Sequence, residues 1–202
     1  MDAPRYDEST ALVVVDMQND FAHPDGSLFV TGGDTLVGPI NDEIAAAAAA
    51  GAVVVLTQDW HPPSTPHFVT DGGVWPVHCV AGTWGAELVD GLDPDHRASA
   101  VIRKGTNGED GYSAFMMRRP GGSTDIPTGL TGLLRDRGVE RVVVVGLASD
   151  VCVAATARSA AEAGFGTVMR WELSRPVDAG DETRAAVLAE LGDAGVAVTG
   201  AS

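Results

Sequence analysis

A thiol, a carboxylate and an amine, each following an apolar strand-like run, are the groups of this chain best suited to covalent chemistry. Cys152 lies in the stretch Arg141 to Val153, RVVVVGLASDVCV. Its valine run suits a central parallel strand buried on both faces, broken at Gly146 by a tight turn. Gly146 and Ala148 are small enough to let a ligand approach the backbone. A helix starting near Asp150 places Cys152 in its first turn, with Ser149 or Asp150 as the cap. Free N–H groups and the positive end of the helix dipole would stabilise a thiolate there, and could hold the oxygen of a tetrahedral intermediate. Asp16 ends a second apolar run, ALVVVD, and could take the thiol proton and later pass it to a leaving amine. Lys104 follows a third run and would compensate the negative charge. Each alone has a plainer reading: a packed thiol, a turn-forming Asp, a solvated Lys, or an Asp–Lys ion pair at a sheet edge.

A second cluster is Asp59, His61, His67 and His78, in QDWHPPSTPHF and WPVHC. A carboxylate with two or three imidazoles suits a borderline divalent ion such as zinc, iron or manganese. Of the five histidines, these three fall within one loop beside an Asp, whereas His23 and His96 lack such company and read as surface. Cys79, beside His78, could serve as a ligand, with a buried structural thiol as its plainer reading. Phe21, Trp75 and Tyr112 lie in loops after strand ends, where a flat ring could stack, although loop packing is the plainer role of any one of them.

The elements that must position these groups alternate along the chain. Strands are predicted at Ala11–Asp16, Ala52–Thr57, Ser99–Arg103, Arg141–Gly146, Thr167–Trp171 and Val196–Thr199. Helices are predicted from Asp34 to about Ala50, at Gly129–Gly138, Asp150–Gly164 and Asp181–Asp193. Met17–Gly33, the segment from His61 to about Arg97, and Gly105–Thr128 read as loops, and loops this long are usually functional. Alternation of this kind implies an α/β fold: a three-layer αβα arrangement with a six-stranded parallel sheet in the order 3-2-1-4-5-6. Strands one and four then meet at the switch point, so Asp16 and the turn before Cys152 face each other. Lys104 and the Asp59–His61 pair fall on the same carboxyl edge.

Composition narrows the partners. The 202 residues suit one domain over 1–202, with 45% hydrophobic and 20% charged residues. Thirteen basic against 28 acidic residues give a net charge of −15, which repels nucleic-acid backbones and anionic membranes alike. No apolar run is long enough to span a bilayer, and MDAPRYDEST has no signal-peptide core. Two cysteines make no disulfide framework. A cytoplasmic protein is expected.

With these residues assembled, the chain resembles the nicotinamidase (pyrazinamidase) branch of the isochorismatase-like cysteine hydrolase family. The resemblance runs from VVVDMQNDF (Val13–Phe21) through TQDWHPP (Thr57–Pro63), WPVHCV (Trp75–Val80) and RKG (Arg103–Gly105) to GLASDVCV (Gly146–Val153). It implies a catalytic triad at Asp16, Lys104 and Cys152. It also implies one divalent metal, zinc foremost with iron or manganese as alternatives, on Asp59, His61 and His78. His67 stands where some members carry a further ligand. A cis peptide at Leu147–Ala148 is implied as well, with the Ala148 and Cys152 N–H groups forming an oxyanion hole. Phe21, Trp75 and Tyr112 match positions lining the ring pocket.

The implied activity is hydrolysis of nicotinamide or a similar aromatic carboxamide to the acid and ammonia through a Cys152 thioester. The partner is then a small aromatic amide, and assembly into a homo-oligomer is compatible with it. Three alternatives stay open: action on another amide such as a streptothricin-type lactam or a carbamoyl compound, a metal-free isochorismatase, and a non-catalytic binding module. Departures from the family pattern are Trp84 in place of Pro, Trp171–Glu172 after the fifth strand, and the segment Gly105–Tyr112, GTNGEDGY. They are expected near the pocket mouth.

Overall fold

Valine builds the middle of the sheet. In a computed structural model that describes residues 5–93, 95–119 and 125–201, β1 (Thr10–Val15) and β6 (Arg141–Leu147) lie side by side and parallel, from Thr10↔Arg141 to Val15↔Gly146. Side chains alternate across a strand, so β1 sends Ala11, Val13 and Val15 into one core and Leu12 and Val14 into another. That division explains an unbroken apolar run: both faces are covered, and neither accepts a polar residue.

The remaining sheet strands are β2 (Val53–Asp59), β3 (Ala100–Lys104), β7 (Gly166–Arg175) and β8 (Ala197–Thr199). All pair in parallel, in the order β3-β2-β1-β6-β7-β8. This is the anticipated order once a small antiparallel hairpin, β4 (Met116–Arg118) with β5 (Asp125–Pro127), is set apart. That hairpin was not foreseen: MMR and DIP are too short to carry an alternating pattern. Residues 120–124 of the predicted loop Gly105–Thr128, residue 94 of the predicted loop from His61, and the two ends of the chain (1–4 and 202) lie outside the described residues.

Helices cover both faces. On one side α2 (Val37–Ala49) buries Ile40, Ile44 and Ala47, residues on one helical stripe. On the other lie α3 (Leu130–Asp136), α4 (Cys152–Glu162) and α5 (Asp181–Asp193). A single-turn helix, α1 (Asn19–Ala22), follows β1. It interrupts the predicted Met17–Gly33 loop.

Two strands outrun their predicted ends by more than one residue. Asp59 is held in β2 by pairing with Lys104 of β3. β7 continues to Arg175 through a register irregularity against Val144–Gly146, and Trp171 and Glu172 fall inside that stretch. The predicted loop from His61 is laced by single bridges, His61 with Val80 and Phe68 with Trp75, and holds two short 3-10 turns, Val69–Asp71 and Trp84–Ala86, which give its backbone groups partners.

Gly146 lies at the close contact between the ends of β6 and β1. Its φ is +110°, and a Cβ there would lie 2.2 Å from the Val15 carbonyl oxygen. Gly146→Ala is therefore expected to destabilise the fold by at least about 2 kcal/mol, read by urea unfolding.

Candidate active site

Three strand ends and one helix start converge at the carboxyl edge of the sheet. Asp16 is the first residue after β1 and takes a left-handed backbone with φ +50°. It is fully buried, as is Lys104 at the end of β3. The Lys104 ammonium donates to Asp16 Oδ2 at 2.7 Å and to the Tyr112 carbonyl at 3.1 Å. It also meets Asp59 Oδ1 at 2.9 Å. An ammonium has three N–H donors, and three oxygens lie within their reach. Thr57 of β2, which the sequence reading passed over, donates its hydroxyl to Asp16 Oδ1 at 2.5 Å and accepts the Asp16 N–H at 3.0 Å.

Cys152 opens α4, with its sulfur and the carboxylate oxygens of Asp16 and Asp59 all within 4.8 Å of one another. Burial pushes the thiol well above its ordinary range; Lys104 opposes this, and Asp16 and Asp59 add to it. Dehydration and the two nearby carboxylates thus work against the thiolate that the helix start is expected to favour. Burial likewise raises the Asp16 carboxyl, against Lys104 and with Asp59. Lys104 is held well above its ordinary range, because Asp16 and Asp59 outweigh the effect of burial.

The expected cap is corrected. Val151 occupies the N-cap position and no side chain caps the helix. The Asp150 carboxylate turns instead to the loop after β7, accepting the N–H groups of Val177 and Asp178, each at 2.9 Å. The Leu147–Ala148 peptide is cis. The N–H groups of Ala148 and Cys152 have no hydrogen-bond acceptor among the described residues, which leaves both available to a ligand.

Beside this group the side-chain nitrogens of His61, His67 and His78 lie within 4.8 Å of one another, all buried. His67 Nδ1 donates to Asp110 Oδ1 at 2.8 Å, and His78 Nδ1 to the Pro76 carbonyl at 2.7 Å. In each ring the partner only accepts, so Nδ1 is the donor and Nε2 is the nitrogen that remains for a ligand. Burial depresses the His78 pKa, which keeps that ring neutral. Both ring nitrogens of His61 are buried without a partner. Asp59 Oδ2 lies 3.8 Å from His61 Nε2 and 3.9 Å from His78 Nε2. Burial raises the Asp59 carboxyl, but Lys104 and His61 more than offset this and hold it below the carboxylate range.

Orphaned imidazole nitrogens beside an ionised carboxylate are what a divalent cation requires, and the outer hydrogen bonds of His67 and His78 are the usual support of such ligands. The residues present fit the metal.

A narrow pocket opens between the two groups. Cys152 and Ala148 form one wall, and Asp59, His67 and His78 another; Phe21, Trp75 and Tyr112 line it as the sequence suggested. Trp75 Nε1 donates to the Tyr112 hydroxyl at 3.0 Å, fixing the two rings edge to face. Leu28, Val30 and Val177 complete an aliphatic side that sequence reasoning did not find; nothing in their local pattern distinguishes them from ordinary packing.

The departures do not sit together at the mouth. Trp84 packs edge-on against His23, leaving His23 partly covered where exposure was expected. Glu172 pairs with Arg170 and accepts from Thr199. Only GTNGEDGY reaches the site, by bringing Asp110 to His67. Cys79 is buried as expected, its thiol raised by burial, and His96 is exposed.

The chain matches the Isochorismatase domain family over residues 10–201. It is 40% identical to the nicotinamidase/pyrazinamidase of Mycobacterium tuberculosis, over 92% of this chain and 96% of that one. Among solved structures, PnC1 from L. infantum in complex with nicotinate superposes with a TM-score of 0.88 at 42% identity, covering 96% of this chain and 94% of that one. The pyrazinamidase of Pyrococcus horikoshii in complex with zinc gives 0.82 at 35% identity, covering 95% and 98%.

Lys104→Met would leave two carboxylates facing each other in a dry interior. The expected cost is about 3–5 kcal/mol in urea unfolding. Asp150→Ala frees the Val177 and Asp178 amides, whose hydrogen exchange should quicken by about tenfold or more while the β1 and β6 amides stay protected.

Proposed function

The chain belongs to the isochorismatase family, and on that premise we propose that it hydrolyses nicotinamide and similar aromatic carboxamides, such as pyrazinamide, to the carboxylic acid and ammonia. It is a hydrolase of the nicotinamidase type. The observation that carries the substrate reading is the cavity itself: a thiol with an adjacent buried acid on one wall, imidazoles and a carboxylate on another, and aromatic rings between. Known relatives supply the ligand chemistry, nicotinate in one complex and zinc in another.

In this reading Asp16 is the base and later the acid. It takes the Cys152 proton as Sγ attacks the amide carbonyl carbon. The carbonyl oxygen gains the negative charge and faces the N–H groups of Ala148 and Cys152, and one such donor is typically worth about 3 kcal/mol. The C–N bond then breaks, Asp16 returns its proton to the nitrogen, and ammonia leaves a thioester. Asp16, again a carboxylate, accepts a proton from water, whose oxygen attacks the thioester carbon. The acid departs, and the proton returns to sulfur. Lys104 keeps Asp16 aimed at the thiol throughout and balances whichever carboxylate is ionised.

Asp59, His61, His67 and His78 would hold the divalent cation, with zinc favoured by the imidazole-rich donor set. When bound, it supplies a Lewis acid for the lone pair of an azine nitrogen. Phe21, Trp75 and Tyr112 bind and orient the ring by stacking and keep water from its faces. The surface charge of −15 is in keeping with a small neutral substrate rather than nucleic acid or anionic lipid. Cytoplasmic residence belongs to the same reading, in keeping with two free cysteines. No helix among the described residues is long and apolar enough to cross a membrane.

Ammonia release from nicotinamide and pyrazinamide is the test. The wild type should turn over both, lose activity to a strong chelator and regain it with zinc. Cys152→Ala should abolish turnover yet still bind nicotinate in calorimetry. Absence of ammonia from either amide, or full turnover by Cys152→Ala, overturns the assignment.

A further inference from the structure

Asp59 is in contact with both halves of the site, and its backbone is in an awkward place. It is the last residue of β2. On one side it pairs with Lys104 of β3. On the other, β1 has already ended at Val15, and the chain turns away at Asp16. A strand residue at that point lacks a neighbour for its N–H and C=O, and buried groups of this kind must find partners.

The amide of Gln18 fills the gap. Its Oε1 accepts the Asp59 N–H at 2.8 Å, and its Nε2 donates to the Asp59 carbonyl at 2.7 Å. The second Nε2 proton goes to the Ala86 carbonyl at 2.8 Å. The Gln18 backbone N–H reaches the Asp16 carbonyl at 2.8 Å. One fully buried residue therefore replaces the missing strand for Asp59 and ties it to Asp16. No other side chain does this as well: Glu lacks the donor, and Asn is one methylene too short.

We infer that Gln18 is a positioning residue that holds Asp59 between Lys104 and the histidines, and through Asp59 sets the affinity of the site for its divalent cation. The inference rests on the metal reading given above. Gln18 touches neither cation nor substrate; it acts by fixing the backbone from which the ligand carboxylate is aimed. Outer partners of metal ligands typically govern affinity by about 10- to 100-fold.

The experiment measures zinc binding, apart from turnover, by competition with a chromogenic chelator on metal-stripped protein. Gln18→Glu keeps the shape and removes the donors, and its zinc dissociation constant is expected to rise about tenfold or more. Gln58→Leu is the control. Gln58 donates to the same Ala86 carbonyl, at 3.0 Å, but its side chain does not bond the Asp59 backbone. It should lose thermal stability and keep zinc affinity within about twofold. Should Gln18→Glu fail to fold, Gln18→Asn retains the amide with a shortened reach and carries the same expectation.

Zinc binding by the Gln18 variant equal to the wild type overturns the inference, as does an equal weakening in Gln58→Leu. A wild type that binds no zinc overturns the metal reading and this inference together. A wild type that binds zinc but releases no ammonia overturns the substrate reading alone, and the comparison of variants still decides the role of Gln18.

Discussion

A single ammonium, sealed between two carboxylates, is the constraint around which this sheet edge is arranged. Removing Lys104, Asp16 and Asp59 from water costs several kcal/mol per charge, and the cost is met only when partners are close and every donor is used. Lys104 fulfils both conditions with contacts of 2.7, 2.9 and 3.1 Å. Its partners come from β1, β2 and the loop after β3. The strand ends therefore cannot shift relative to one another without leaving a charge unpaired. The thiol inherits its environment from this arrangement: dry and next to an acid.

Asp59 makes one machine of two clusters. One oxygen faces Lys104 and the other faces His61 and His78, so the carboxylate is shared between the buried amine and the histidine cluster. This sharing explains why Asp59 and Asp16, the same residue type in one buried neighbourhood, are pushed in opposite directions. Asp59 has positive or polar partners on two sides. Asp16 has one cation, a hydroxyl and a neighbouring anion. Paired carboxylates with separated tendencies are the usual basis for one that stays ionised and one that carries protons.

Much of this was legible in the sequence because it depends on strand ends. The runs ALVVVD and RVVVVGL declare buried parallel strands, and the residue after each run must lie on the carboxyl edge, where ligands bind in open α/β sheets. Asp16, Asp59, Lys104 and Cys152 were found this way, and the histidines by their crowding beside Asp59. What stayed hidden depends on contacts between distant segments. Thr57 looks like any strand threonine until Asp16 is seen beside it. Asp150 reads as a helix cap, yet the loop after β7 offers it two N–H groups that no local pattern announces. The forces on the thiol divide in the same way: the helix start is visible in a sequence, whereas dehydration and two facing carboxylates are properties of the assembled interior.

One further property follows from where Lys104 stands. β3 is the outermost strand of its sheet, paired only to β2, and Val101 near its start is about half exposed. Rim strands ordinarily unzip first, at far less expense than melting the whole domain. Here the downstream end of the rim is riveted inward by its terminal amine, and Arg103 lies flat on the Trp60 ring beside it. Breathing is therefore directed to the Ala100 end, away from the thiol, and the outermost ribbon of the molecule holds its reactive interior shut.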